Sequence, residues 1–308
     1  MFFLLNFSKM KKTIVKISEG LGNQLFMYAH AYAFSKKMGY DLYVNASTAY
    51  KKLKIRTFLL DKMNINLKYA EPKDLQDNVI KYLSFKINKN FESFRSKKRF
   101  LIEKKYENKK KSYYDYTKES YSDKVYIEGY FESEKYFQDY KNDITQQFQI
   151  KDIKKNSLFK DPNIFKNNNS VSIVIRQHRF SEKIKNQENI SKSDIFLKNT
   201  FDYVFKAVEI IKTKVDNPKF FIFSNDTSNL ENFFDKHSFD IIHHDNYKAI
   251  NDFYLSTLCK HFIVGPSTFH WWSAYLSKNL HKICIRPTDN ISFSSNSDIY
   301  PDDWLKIE

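Results

Sequence analysis

Short β-branched and aromatic runs alternate with stretches of helical apolar spacing along most of this 308-residue chain, and that alternation limits the folds open to it. In the second half the runs are Val171-Ser172-Ile173-Val174-Ile175-Arg176, Phe220-Phe221-Ile222-Phe223, Phe262-Ile263-Val264 and Lys282-Ile283-Cys284-Ile285. Between them the spacing predicts helices over 201–215, with Val204, Val208 and Ile211 on one face, over 252–259 and over 268–277. Strands alternating with helices indicate a parallel sheet covered on both faces. The first half opens the same way. Thr13-Ile14-Val15-Lys16-Ile17 reads as a strand, Gly20-Leu21-Gly22-Asn23 as a turn, and 24–38 as a helix stopped by Gly39. Asp41-Leu42-Tyr43-Val44 follows as a strand, and Val125-Tyr126-Ile127-Glu128-Gly129-Tyr130-Phe131 as another, with a helix expected over 133–140. Residues 151–170, rich in Lys, Asn and Asp, read as a linker. The expected class is α/β, with two Rossmann-like domains at 10–155 and 156–308.

Lys and Arg number 51 against 36 Asp and Glu, a net charge of +15. Such a balance raises nucleic acid and anionic membranes as partners. The charge is uneven, however. Residues 81–124 hold 14 Lys and Arg against 6 acids, so +8 sits in one stretch of weak periodicity. The plain reading, which we favour at this level, is a solvated, partly helical basic insertion. The functional reading is a docking surface for the inner face of the cytoplasmic membrane. Tyr113, Tyr114 and Tyr116 stand near Lys109–Lys111, the basic and aromatic mixture of a nucleic-acid surface, but no nucleic-acid module accompanies them and no such partner is expected. The Lys-rich, Arg-poor vocabulary is also what AT-rich coding yields.

The two cysteines, Cys259 and Cys284, lie in apolar runs without zinc-site spacing, which suits buried thiols in a reducing cytoplasm. Residues 1–9 read as an upstream extension before Met10. No apolar run approaches the ~20 residues of a membrane span, so a soluble or peripheral protein is expected.

Open parallel sheets bind ligands beyond the carboxyl ends of their strands. Three second-half strands end in polar sets: Arg176, then Ser224-Asn225-Asp226, then Ser267-Thr268. Arg176 offers a planar fork to a phosphate, and Ser267 and Thr268 open a helix whose free N–H groups favour an anion. Asp226 can accept from a guanine edge, which presents two N–H groups side by side. Each has a plainer alternative: a helix cap for Ser267, Thr268 or Asp226, and an acidic partner for Arg176. The Gly20-Leu21-Gly22-Asn23-Gln24 turn lacks the third glycine of a dinucleotide fingerprint. No phosphate-binding P-loop, no zinc-protease helix and no Asp-x-Asp occurs, so no metal is expected. His243-His244 is a weak metal candidate, since neighbours on a strand face opposite ways. Trp271 and Trp272 are expected in the core, and His261 and His281 as structural.

Five segments together resemble a known family. They are Gly20-Leu21-Gly22-Asn23-Gln24-Leu25-Phe26-x-Tyr28-Ala29, Glu128-Gly129-Tyr130-Phe131-Glu132-Ser133-Glu134-Lys135-Tyr136-Phe137, and Phe223-Ser224-Asn225-Asp226. The most specific block runs from Asp252 through Ser267-Thr268-Phe269-His270-Trp271-Trp272 to Leu276, and Tyr300-Pro301-Asp302-Asp303-Trp304 closes the set. From about Lys12 to the end the chain resembles bacterial α-1,2-fucosyltransferases, glycosyltransferase family 11. The resemblance implies a GT-B type architecture, two Rossmann-like domains facing a cleft, with the nucleotide on the second. It implies transfer of L-fucose from GDP-β-L-fucose, a substrate and not a cofactor, to the 2-OH of a terminal sugar such as galactose, with inversion and without a metal. The acceptor would be a surface glycan or lipid-linked oligosaccharide, such as an O-antigen unit.

On that basis Arg176 would stabilise the departing diphosphate, with Ser267, Thr268 and Arg179 beside it. Asn23 would orient the fucose or β-phosphate, and Gly22, Gln24, Ser224, Asn225, Asp226 and Phe269 complete the donor set. The family's usual His-x-Arg-Arg-Gly-Asp is here Val174-Ile175-Arg176-Gln177-His178-Arg179, so its His and Asp roles do not transfer. Glu19, where a glycine is common, and His178 are the candidate bases. A base-free route through the diphosphate is the alternative. Other readings are a different GDP-sugar or an inactive glycan-binding relative.

Overall fold

A computed structural model describes residues 11–47, 56–76, 78–104, 112–151, 160–167, 169–243, 249–294 and 296–307. The chain forms two compact units, Met1–Gln149 with Asn296–Ile299, and Ile150–Ser295 with Tyr300–Glu308. The expected domain boundary at 155/156 lies outside the described residues.

The first unit is built on a 4-stranded parallel sheet of order β2-β1-β4-β3. Its strands are β1 (Lys12–Lys16), β2 (Asp41–Asn45), β3 (Lys98–Ile102) and β4 (Tyr121–Glu128). Helix α1 (Leu21–Met38) packs against β1 and β2, and its Leu25, Phe26 and Ala29 are wholly buried, as are Val125 and Ile127 of β4. Gly39 ends it with φ 70°, a left-handed turn that costs glycine nothing. Helix α2 (Val79–Asn90) lies against β3 and β4, where Phe85 meets Phe100 and Tyr126 with ring centroids 4.9 and 5.2 Å apart.

The basic stretch is therefore not a mere insertion. It supplies most of α2, all of β3 and the start of β4, while its 105–111 portion lies outside the described residues. Strand β3 is hidden in the sequence because it is a short, charged edge strand. The helix expected over 133–140 is two 3-10 turns, Glu134–Tyr136 and Gln138–Tyr140, followed by α3 (Lys141–Gln147). Phe137, at φ −142°, interrupts any continuous helix there.

The second unit holds a 6-stranded parallel sheet of order β10-β9-β8-β5-β6-β7. These are β5 (Ser170–Ile175), β6 (Lys219–Ser224), β7 (Phe239–Ile241), β8 (His261–Ile263), β9 (Cys284–Arg286) and β10 (Leu305–Lys306). The helices are α4 (Pro162–Asn167), α5 (Gln187–Lys214), α6 (Ala249–Thr257) and α7 (Thr268–Leu276). Every residue of β5 is buried, as a strand covered on both faces requires. Val204, Val208 and Ile211 of α5 pack in one cluster with Val171, Ile173 and Ile222. Helix α5 begins well before the predicted 201, because Ser193 is its only buried residue ahead of Thr200 and its first half shows no apolar period. Trp271 and Trp272 are in the core, and both cysteines are free and buried.

Candidate functional site

In the second sheet the chain runs β5, β6, β7 outward on one side, then returns to place β8 on the other side of β5. The order reverses between β5 and β8, and the carboxyl edge there is where such sheets take ligands. Arg176-Gln177-His178-Arg179 leaves β5 at this edge, and Val264-Gly265-Pro266-Ser267 leaves β8 to start α7. The two loops are held together. Arg179 donates from Nη1 to the Pro266 carbonyl at 2.8 Å. Gly265 sits so close to β5 that an added Cβ would lie 2.2 Å from the Val174 carbonyl oxygen, which restricts that position to glycine.

Half-buried Arg176 donates from Nε and Nη2 to the two carboxylate oxygens of Glu182, at 3.2 and 2.8 Å. Its acid-pairing alternative is thus realised, and the pair fixes the plane of the guanidinium. Ser267 caps α7, its hydroxyl accepting from the His270 N–H at 3.2 Å, and Thr268 opens the helix beside half-buried Phe269. The first-turn N–H groups of α7 face the same edge as part of the helix's positive end.

Several expected donor contacts have other partners. Arg179, expected at the phosphates, is a brace: it reaches Pro266 and, at 3.4 Å, the Phe293 carbonyl, and its guanidinium lies 4.7 Å from the Phe196 ring centroid. Asn225 accepts from the Gln177 N–H at 2.9 Å and returns a bond to its carbonyl, tying β6 to β5. Ser224 is buried and donates to the Asp226 carbonyl at 2.5 Å. Asp226 accepts from the Ser228 N–H at 2.9 Å through Oδ1 and faces His178 Nε2 at 3.1 Å through Oδ2. The Ser228 bonds and the adjacent His178 hold its carboxyl below the usual range. With the carboxylate as acceptor, His178 Nε2 is the donor of this contact. His178 itself is exposed, at φ 57°.

His270, unremarked in the sequence beyond its motif, organises the β8 turn. Its Nδ1 accepts from the Gly265 N–H at 2.7 Å, so Nε2 is the donor to Ser172 Oγ at 3.0 Å, and Ser172 meets Ser256 Oγ at 2.8 Å. Burial lowers this histidine to about 3, which keeps the one-donor, one-acceptor ring the network needs.

In the first unit the carboxyl ends of β1, β4 and β3 gather a second set. After β1 the chain turns at Glu19, φ 65°, into Gly20 and α1. The N-terminus of α1 has no side-chain cap and no acid in its first turn, and the Arg56 side chain lies beside Gly20. Arg56 was not anticipated, and no local motif marks it. Gly22 is buried and Asn23 half-buried on the first turn. Gln24 is a correction: wholly buried, it donates to the Glu19 and Thr57 carbonyls at 2.9 and 2.7 Å and accepts from Leu59 N–H at 2.9 Å. It shapes the loop and is not exposed to a donor. After β4, Gly129 at φ 154° and Phe131 at φ 53° make a turn whose Tyr130 and Phe131 N–H groups donate to Glu103, each at 3.0 Å. Burial raises the Tyr130 hydroxyl, and the charges of Glu19, Glu132 and Glu103 raise it further, so Glu19 stands near this turn.

Among the described residues no group of three His, Cys, Asp or Glu gathers as a metal site. His243 lies 3.4 Å from Glu231 and is exposed, and His244 lies outside the described residues. His261 is structural, its Nδ1 accepting from Ile283 N–H.

The chain is 26% identical to an alpha-1,2-colitosyltransferase of Escherichia coli, over 97% of this chain and 100% of that one. It is 25% identical to the O-antigen biosynthesis glycosyltransferase WbnK of Escherichia coli, over 94% and 99%. Two solved structures share the fold. NodZ alpha-1,6-fucosyltransferase, soaked with GDP-fucose, gives a TM-score of 0.50 at 11% identity, covering 87% of this chain and 92% of that one. A variant of Arabidopsis thaliana FUT1 in complex with GDP gives 0.51 at 14% identity, covering 92% and 72%. The architecture is thus the α/β, GT-B type of these enzymes, with two Rossmann-like units. The model of Glycosyl transferase family 11 matches residues 12–308, so this glycosyltransferase belongs to that family.

Proposed function

We propose that the protein transfers L-fucose from GDP-β-L-fucose to the 2-OH of a terminal galactose in a surface glycan, with inversion. The acceptor oxygen attacks C1 from the face opposite the nucleotide. The bond from C1 to the β-phosphate oxygen breaks, and GDP leaves with the electron pair. Charge grows on the diphosphate as the sugar becomes oxocarbenium-like, so donors aimed at the diphosphate act mainly on the transition state. Arg176 and the first turn of α7 are those donors in this reading, and no metal is required of it. The acceptor proton passes to His178, whose ring Asp226 orients. Asn23 and Arg56, at the uncapped start of α1, are assigned to the sugar or β-phosphate.

The observation that carries this reading is the closure of the β5 and β8 ends by Arg179 and Gly265, at the point where the strand order reverses. It brings one cation and one helix start to a single sheet edge, the requirement for a nucleoside diphosphate. The colitosyltransferase relative favours a second donor, GDP-colitose, whose sugar is L-fucose without its 3-hydroxyl. A site that hydrogen-bonds the 3-hydroxyl would reject colitose by about 10⁴-fold.

The test is incubation of the purified chain with GDP-fucose or GDP-colitose and a panel of galactosides, with linkage analysis of products. An α-1,2-fucosylated product is expected. Product from GDP-colitose alone would replace the donor, and turnover of neither would remove the assignment.

A further inference from the structure

We propose that α2 docks this protein onto an anionic bilayer, lying in the headgroup layer with an apolar stripe turned into the lipid. This reading is independent of the sugar transferred. Ile80, Leu83, Ile87, Phe91 and Phe94 recur at steps of three and four, the spacing of one helical face. They span α2 and the 3-10 turn Glu92–Phe94 that follows it. All five are exposed, at 81%, 51%, 57%, 58% and 84%, and no residue of α2 is buried. The helix is nonetheless anchored. Phe85, on the opposite side of the helical wheel, is the residue seated against Phe100 and Tyr126 of the sheet. Leu83, Ile87, Phe91 and Phe94 therefore point away from their own unit, with Ile80 at the rim of the groove beneath α2, an arrangement that water disfavours and a lipid surface satisfies.

The charge around the stripe selects the partner. Lys86 flanks it on α2, and Lys97 and Arg99 follow, all three exposed. Beneath α2 opens a groove of about 750 Å³ whose lining includes Lys12, Lys73, Lys81, Arg99 and Lys124. Asp74 and Asp123 are also there, Asp74 paired with Lys12 and with Lys124, the latter at 2.5 Å, while Lys73 pairs with Glu71 at 2.5 Å, so the lining carries five basic groups against two carboxylates. A lipid phosphate fits this surplus of positive charge. A second copy of the chain seated on the same face would bring the same lysines against each other.

The experiment is co-sedimentation of the full chain with vesicles of phosphatidylglycerol and phosphatidylcholine, against phosphatidylcholine alone. Wild type is expected to pellet with the anionic vesicles only, and less as salt rises. The variant Leu83→Ser/Ile87→Ser/Phe91→Ser should bind at least about tenfold more weakly. Its donor turnover with a soluble acceptor should not change. Lys86→Glu/Lys97→Glu should weaken binding by a similar factor, and it carries the test if the triple variant misfolds. Wild type that ignores anionic vesicles would overturn the proposal, as would variants that bind like wild type. A dimer in sedimentation velocity that the triple variant dissolves, with no vesicle binding, would assign the stripe to a contact between copies and equally overturn it.

Discussion

Arg176 meets Glu182 through Nε and one terminal nitrogen, so the guanidinium is held flat while its other N–H bonds point elsewhere. A preset fork meets a forming oxyanion without reorganising, which is why its loss should fall on turnover. Arg176→Ala should lower kcat by about 100-fold or more with an unchanged far-UV spectrum. His178→Ala should also slow transfer by removing the proton acceptor, which single-turnover rates with a saturating donor would show. A kcat within a few-fold of wild type for Arg176→Ala would sink the diphosphate assignment. At this scale the sequence is only partly legible. Arg176 is conspicuous because it ends an apolar strand at a sheet edge. Gln24 and Arg179 look equally conspicuous, yet their partners are carbonyls at Thr57, Pro266 and Phe293, set by loops distant in sequence. Glu182 and Arg56 carry no local signature at all.

At the scale of elements, the β8–α7 turn is the part most finely fitted. Gly265 lies against the Val174 carbonyl and donates to His270, whose other nitrogen reaches Ser172 of β5. A methyl group at 265 has no soft neighbour to displace, since the obstacle is backbone. Gly265→Ala should destabilise the protein by about 1–3 kcal/mol and raise the donor KM. Thermal unfolding and donor titration check both, and an unchanged KM would show that the turn does not shape the donor site. Strands β5, β6 and β8 were plain in the sequence because buried parallel strands are continuous apolar runs. The short β7 and β10 were missed because Phe239-Asp240-Ile241 and Leu305-Lys306 are interrupted by charge and lack the continuous apolar run that marks the equally short β8. The first half of α5 was missed for a different reason: an exposed helix needs no apolar stripe, and periodicity reports burial.

For the whole molecule, buried titratable groups set a pH response. His30 and His270 are buried, and burial lowers each from 6.5 to about 3. Between those values the unfolded chain binds protons that the folded rings refuse, so stability is full above about pH 6.5 and declines as pH falls toward 3. Each ring contributes a slope of up to about 1.4 kcal/mol per pH unit. Asp252 acts oppositely, its burial raising the carboxyl from 3.8 to about 7, so its share is lost as pH rises through that range. Two rings outweigh one carboxyl below 6.5. The melting temperature should therefore fall on acidification, and His270→Gln should flatten the fall. An identical slope in that variant would exclude His270 as a source. The two units also differ in how the chain enters them. Residues Asn296–Ile299 belong with the first, where Lys135 binds Asp298 at 2.6 Å, while Tyr300–Glu308 return to the second with β10 and Trp304. A gene cut after 149 would thus leave this four-residue patch with the other unit, and recombination between relatives must carry it along with the front of the gene if Lys135 is to keep its counter-ion at Asp298.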